Sequence, residues 1–328
     1  MEPESPHRLG VVDCGTNTFT LHIADCDGHG GWNTAFRQKR FVRLGLDSFR
    51  SGRLSPQRIR RGLDVLSSFR ETARNFNVDG VRVFGCSALR DAANGGAFVE
   101  AAKEIGWEID VIDGSTEAHW IHLGVADSMG AAGPLPDALL TVDIGGGSVE
   151  FIHWTPNEVL GRWSLELGVA RLTDWIKPSD PMMRADFDSI ARIADAAMAP
   201  MMPALQERPP TWMVGTSGAF NTLMVMQDPG AAWGDPRRAD EFDRAELLGR
   251  CAALSHLSKV ELHGVEGMHP DRVPYMAVAC ALIDHILARV SSVERVFRSR
   301  HTLAEGVLVE GARACSNDEG IPTGWQAV

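Results

Sequence analysis

Apolar residues follow two alternating patterns along the chain. The first is a short apolar run closed by a glycine-bearing turn. Leu9, Val11 and Val12 lead into Asp13-Cys14-Gly15-Thr16-Asn17-Thr18, and a second run fills 19–24, which predicts strand, turn, strand. The second pattern recurs at three and four. Ile59, Leu63, Leu66, Phe69, Ala73 and Phe76 share one face, and Ser55-Pro56 supplies a cap followed by proline, so the spacing predicts a helix over 56–76. A strand over 81–84 then turns through Gly85-Cys86-Ser87 into a helix beginning near Ala88, with Arg90 in its first turn. A strand over 108–112 passes through Asp113-Gly114-Ser115 into a helix that carries Glu117. Strands alternating with helices predict an α/β layer.

The opening pattern returns after the boundary-like stretch 130–136 (GAAGPLP). Val142-Asp143-Ile144-Gly145-Gly146-Gly147-Ser148 leads into an apolar strand over 149–154. Asp13 and Asp143, Gly15 and Gly145, and Thr18 and Ser148 are each 130 residues apart. Two copies of Asp-x-Gly-x-x-[Ser/Thr] at domain spacing are an internal repeat. They divide the chain into an expected first domain over 1–126 and a second over 127–328, whose last helix is free to return to the first. A third turn, Gly215-Thr216-Ser217-Gly218, follows an apolar strand over 212–214 and precedes a helical stretch over 220–226. Helices are expected within 241–257 and 274–289, a loop over 227–240, and fraying over the last 12 residues.

Charge adds a local feature. The 328 residues hold 32 Lys and Arg against 43 Asp and Glu, which argues against a dedicated duplex-binding protein. Residues 1–126 are nearly balanced, with 15 basic and 16 acidic, while 127–328 hold 17 and 27. Within the first part, 37–61 carries nine Lys or Arg and one acid, Asp47. An anionic ligand held at one place explains such a patch, and a solvated basic face explains it equally well. Six cysteines without C-x-x-C pairing fit buried free thiols in a reducing compartment. No secretory h-region and no run long enough to span a bilayer are legible, so a soluble, cytoplasmic protein without a membrane partner is expected.

The candidate chemistry lies in the three turns. Backbone N–H groups exposed at such turns bind anions, and glycine lets the backbone approach a phosphate. Gly15, Thr16, Asn17 and Thr18, then Gly145, Gly146, Gly147 and Ser148, then Gly215 and Ser217 are the expected phosphate-binding residues. Asp13 and Asp143 end matching strands, and Glu150 lies two residues past Ser148. A carboxylate beside a phosphate is repelled unless a cation bridges them, which makes these three the candidate ligands of Mg²⁺ or Mn²⁺. An aspartate that only caps its own turn is the alternative. Glu117 can accept a proton from water attacking a phosphate, and Arg90 can reach the same place. A surface glutamate and an arginine paired near Asp91 are the alternatives. His119 and His122 lie three apart on one helix, but no third ligand falls at metal-site spacing.

Taken in order, these stretches resemble the exopolyphosphatase/guanosine-pentaphosphate phosphatase family of the actin–hexokinase–Hsp70 superfamily. VVDCGTNTFTLHIAD resembles its first phosphate loop, CSALRDAANGGAF the segment with its arginine, and VIDGSTEAHWIHLGV the segment with its catalytic glutamate. TVDIGGGSVEF is similar to the second loop, and SLELGVARLTD, VGTSGAFNTL and SRHTLAEGVL to later blocks. The resemblance implies two ribonuclease-H-like (actin-like ATPase) α/β domains flanking a central cleft. The substrate it implies is inorganic polyphosphate, or the 5′ γ-phosphate of guanosine pentaphosphate. Glu117 would activate water, with Arg90 as a second catalytic residue and Mg²⁺ at Asp143. The 37–61 stretch would guide the polyanion, and a homodimer is implied by analogy.

Three positions depart from the family pattern. Thr116 stands where an acid usually precedes the catalytic glutamate, His119 where Arg usually follows it, and Ala304 where the late block usually has Arg. The length corresponds to the two-domain form without extra helical domains. A kinase or ATPase of the same superfamily needs an adenosine pocket or an acceptor site, and a non-catalytic polyphosphate or alarmone sensor would bind without turnover.

Overall fold

A computed structural model describes residues 7–130, 132–232, 238–316 and 321–328. The chain divides into two units. The first runs to Gly124 and resumes at Leu303, and the second is Val125–Thr302.

The first unit contains β1 (Arg8–Cys14), β2 (Thr18–Cys26), β3 (Trp32–Phe41), α1 (Ser48–Ser51), α2 (Pro56–Asn75), β4 (Gly80–Gly85), α3 (Ser87–Asp91), α4 (Gly95–Glu104) and β5 (Asp110–Val111). α5 (Gly114–Met129) then carries the chain into the second unit. The sheet order is β3-β2-β1-β4-β5, with β1 antiparallel to β2 and parallel to β4. Ser55 caps α2 by accepting from the Arg58 N–H, as its sequence signature predicts. Leu66, Phe69 and Ala73 of α2 are fully buried in one core with Phe19, Phe98 and Trp107. The Trp107 indole N–H donates to the Leu66 carbonyl at 2.9 Å, so the largest core side chain also has its polar atom satisfied. Each large apolar side chain buried this way contributes about 1.5–3 kcal/mol.

The second unit repeats the plan. It contains β6 (Leu139–Ile144), β7 (Val149–Trp154), β8 (Val159–Leu165), α6 (Val169–Ile176), α7 (Arg184–Met198), α8 (Met202–Glu207), β9 (Trp212–Thr216), α9 (Ser217–Gln227), β10 (Asp240–Phe242), α10 (Arg244–Ser255), α11 (Lys259–His263), α12 (Val273–Arg289) and β11 (Arg295–Arg298). Its sheet order, β8-β7-β6-β9-β11-β10, places β6, β7, β8 and β9 as the first sheet places β1, β2, β3 and β4. The expected α/β class with two repeated sheets is therefore the observed one. β10 begins at Asp240, where the sequence suggests the end of a loop, and residues 233–237 of that stretch lie outside the described residues.

The last helix, α13 (Leu303–Cys315), packs on the first sheet. The second unit thus ends at Thr302, and α13 belongs to the first. In α13 the buried Glu305 carboxylate lies 3.1 Å from His22 Nδ1 on β2 and 3.0 Å from Arg37 Nη2 on β3. The expected fraying of the last 12 residues is not what the structure has over 321–328. Gln326 and Val81 exchange two backbone hydrogen bonds at 2.8 Å, and the Gln326 side chain donates to the Glu108 carbonyl and accepts from the Glu108 N–H. Residues 317–320 lie outside the described residues. The basic stretch 37–61 begins as the edge strand β3, and most of its cations are solvent-exposed. All six cysteines are buried and free. No helix among the described residues is long and apolar enough to cross a membrane.

Candidate active site

In each unit the site residues gather at the carboxyl ends of parallel strands, where α/β sheets bind ligands. In the first unit β1, β4 and β5 run parallel in adjacent positions, so the segments that follow them emerge at one edge. The loop after β1 is 15–17, the segment after β4 carries Arg90, and the segment after β5 carries Glu117. In the second unit the same edge, after β6, β9 and β11, carries 145–148, 217–218 and 299–301.

The first two loops share one geometry. Gly15 N–H donates to the Thr18 carbonyl at 3.1 Å, and Gly145 N–H donates to the Ser148 carbonyl at 3.1 Å. The carbonyls of the first loop are turned outward and tied down: Val42 and Arg43 N–H donate to Asn17 O, and Gly45 N–H donates to Thr16 O. Thr16 and Asn17 are buried, and Asn17 Oδ1 has no hydrogen-bond partner among the described residues.

The second loop is held from behind by the start of α6. Val169 N–H donates to Gly145 O at 3.0 Å, Ala170 N–H to Gly146 O at 2.8 Å, and the buried Arg171 Nε to Gly147 O at 2.6 Å. This approach is close enough that a Cβ on Gly168 would lie 2.3 Å from the Gly147 carbonyl carbon. With the carbonyls committed to α6, no acceptor among the described residues takes the Gly146 or Gly147 N–H, and backbone N–H groups left in this way are able to bind an anion.

The third turn adds to the second loop. Ser217 adopts a left-handed backbone (φ 72°), and its hydroxyl donates to Asp143 Oδ1 at 2.6 Å. Thr216, fully buried, donates instead to the His301 carbonyl at 3.1 Å. Gly215 is enclosed by the Phe220 ring, which gives it a packing place. Asp143 and Glu150 sit directly opposite each other on β6 and β7 and are 5% and 1% exposed. Ser164 donates to Glu150 at 2.7 Å. Two buried carboxylates facing each other across a strand pair repel unless a proton or cation lies with them. Their oxygen chemistry fits a hard divalent ion that keeps waters and phosphate oxygens as its other ligands. Asp13 occupies the matching place at the end of β1, opposite Thr20 rather than an acid. No cluster of three or more His, Cys, Asp or Glu suited to a metal occurs among the described residues.

Glu117 lies in the first turn of α5 and is buried. Asp113 starts this helix by accepting from the Thr116 N–H at 2.7 Å, an interaction that holds the Asp113 carboxyl below its ordinary range. Arg90 Nη1 donates to the Ile112 carbonyl at 2.7 Å and lies 3.4 Å from Glu117 Oε2. Burial works against the charged guanidinium, but Glu117 and Asp91 outweigh it and hold Arg90 above its ordinary value. The structure thus joins Glu117 with Arg90, and Asp143 with Ser217 and Glu150. The three departures from the family pattern lie off the loops. Thr116 serves the α5 cap, His119 lies 3.8 Å from Glu310, and Ala304 is buried in α13.

Sequence reading did not single out Gly168, Arg171 or Arg272. Arg272, just before α12, sets its guanidinium against Gly218, where a Cβ would lie 2.0 Å from Nη1, and burial lowers its pKa. The Gly-x-x-Arg spacing at the start of α6 was the available signal for the first two.

The model of the Ppx/GppA phosphatase family matches residues 22–314. The chain belongs to that family. It is 26% identical over 316 residues to Exopolyphosphatase 2 of Mycobacterium tuberculosis, covering 92% of this chain and 98% of that one. It is 29% identical over 265 residues to a guanosine-5'-triphosphate,3'-diphosphate pyrophosphatase of Aliivibrio fischeri, covering 79% of this chain and 51% of that one. Among solved structures, an exopolyphosphatase from Cytophaga hutchinsonii is similar with a TM-score of 0.87 at 32% identity, covering 94% of this chain and 98% of that one. As a Ppx/GppA member this chain is a hydrolase of phosphoanhydride bonds.

Proposed function

We propose that this phosphatase removes the terminal phosphate of inorganic polyphosphate by attack of a water molecule that Glu117 deprotonates. The observation that carries the reading is the pair of loops with one hydrogen-bond geometry, accompanied by a buried glutamate beside a guanidinium. The water oxygen forms a bond to the terminal phosphorus as the bridging P–O bond breaks. Glu117 takes the proton, and the shortened chain leaves with the electron pair of the broken bond. The Gly146 and Gly147 N–H groups and the Ser148 hydroxyl donate to the equatorial oxygens, where negative charge is spread. Arg90 orients Glu117. Asp143 and Glu150 would hold Mg²⁺ or Mn²⁺, which when bound offsets phosphate charge.

Two observations favour polyphosphate. The exopolyphosphatase relative matches end to end, while the guanosine-nucleotide relative matches over half its own length. The exposed cations of β3 and the following segment suit an extended polyanion, so affinity should fall as salt rises. Guanosine pentaphosphate is the second reading, supported by the similarity to the A. fischeri protein.

The test is phosphate release with Mg²⁺ from long-chain polyphosphate, guanosine pentaphosphate and ATP in parallel, with Glu117→Ala as control. Polyphosphate is expected to be the best substrate, and Glu117→Ala to lower kcat by roughly 10²–10⁴-fold. Unchanged release by the variant would remove Glu117 from the mechanism. No release by the wild-type protein, with binding retained, would favour a sensor.

A further inference from the structure

Ser217 holds a conformation that an L-residue rarely adopts. Its φ of 72° lies in the left-handed region, and it opens α9 directly after β9. Glycine takes this φ freely, while a residue with a Cβ is strained there. Such strain persists only where the surroundings over-determine it, and strained residues gather at functional sites. The turn around Ser217 is held in this way. Ser299 N–H donates to the Gly215 carbonyl at 3.0 Å. The Thr216 and Ser299 hydroxyls both donate to the His301 carbonyl, at 3.1 and 2.9 Å. The Arg272 guanidinium packs against Gly218 on the other flank.

The turn sets the Ser217 hydroxyl against Asp143. Its O–H donates to Oδ1 at 2.6 Å, a short bond of the kind a hydroxyl makes to a carboxylate. A serine hydroxyl has one hydrogen. With that hydrogen on Asp143, only lone pairs remain, and lone pairs repel phosphate oxygens.

Asp143 also stands in a row. Thr216, Asp143, Glu150 and Ser164 lie in register across β9, β6, β7 and β8. Ser164 donates to Glu150 Oε1 at 2.7 Å, so each of the two facing carboxylates accepts one serine hydroxyl. A hydrogen bond to a metal-binding carboxylate fixes its rotation and thereby tunes affinity for the ion. We propose that Ser217 is a positioning residue, which orients the Asp143 carboxylate for the divalent ion and does not itself bind phosphate. The inference rests on the reading that Asp143 and Glu150 hold that ion.

The test measures Mn²⁺ binding by the full-length protein without substrate, through the EPR signal of the free ion. Wild type, Ser217→Ala, Ser217→Gly and Asp143→Asn are compared. Both Ser217 variants are expected to raise the Kd for Mn²⁺ about tenfold or more. Glycine relieves the strain and alanine keeps it, so Ser217→Gly should have the higher Tm of the two while binding Mn²⁺ as poorly. A role confined to packing would move Tm and leave Mn²⁺ affinity alone. In phosphate release from polyphosphate, the Mg²⁺ concentration giving half the maximal rate should rise by the same factor. KM for polyphosphate at saturating Mg²⁺ should stay within about twofold of the wild type. Should Ser217→Ala fail to fold, Ser217→Gly, which suits this φ, decides. If Asp143→Asn loses Mn²⁺ affinity while either folded Ser217 variant keeps it, the positioning role is overturned and the metal reading stands. If Asp143→Asn binds Mn²⁺ as the wild type does, or the wild type binds none, the metal reading fails and takes this inference with it. A raised KM for polyphosphate with wild-type Mn²⁺ affinity would make Ser217 a phosphate ligand instead.

Discussion

One nitrogen of Arg90 serves two acceptors, the Ile112 carbonyl and the Glu117 carboxylate. It fixes the end of β5 and the proposed base together, which a lysine with a flexible point charge does not reproduce. Arg90→Ala is expected to lower kcat about 10²-fold through misplacement of Glu117, and Arg90→Lys to recover only part of it. Steady-state kinetics on polyphosphate check this, with circular dichroism to show that the fold is kept. His153, whose burial on β7 holds its imidazole below its ordinary value, gives a different prediction. Its folded pKa lies below the unfolded value, so between the two the unfolded chain binds more protons. The stability from keeping this ring neutral is complete above about pH 6.5 and is lost as pH falls below it. His153→Gln should flatten that acid-side loss, measured as Tm against pH for both proteins.

α6 shows how an element can shape a loop it does not contain. Its first N–H groups and Arg171 take the carbonyls of 145–147, which turns the opposite sides of those peptides outward. Gly168→Ala places a methyl into that backbone, with an overpacking cost of about 1–3 kcal/mol. Because the displaced peptides are the proposed phosphate donors, KM for polyphosphate should rise together with the loss in Tm. A Tm loss with unchanged KM would limit Gly168 to packing. This element also marks what the sequence reveals and what it hides. The Asp-x-Gly-x-x-[Ser/Thr] turns are legible because their conformation is set within six residues, and their repeat fixes the fold class. Ser55-Pro56 announces α2 by the same local chemistry. Arg171 and Arg272 are not legible as partners of the glycine turns, since each reaches a neighbour tens of residues away. β3 escapes for a related reason: as an edge strand it keeps Arg37, Lys39 and Arg40 in solvent and never shows clean alternation. The tail over 321–328 has no apolar period, and its place shows in the structure through the hydrogen bonds of Gln326 to Val81 and Glu108.

At the scale of the whole molecule, the second unit is inserted into the first. α13 supplies Glu305 to His22 and Arg37, and Gly311 lets it approach Leu9 of β1. A chain ended at 302 should therefore leave the first sheet with one face uncovered. Such a truncation is expected to retain a protease-resistant second unit while the first is digested, as limited proteolysis followed by mass spectrometry would show. Equal resistance of both units would mean that the first sheet stands without its last helix. The same discontinuity gives the two units different clocks during synthesis. The strands of the first sheet leave the ribosome early, but α13 follows only after all of 125–302 has been made, roughly 10–35 s later at common elongation rates. The unit encoded second is thus the first able to finish folding, and the half bearing Glu117 must wait, with a sheet face open to chaperones, for the final helix to arrive.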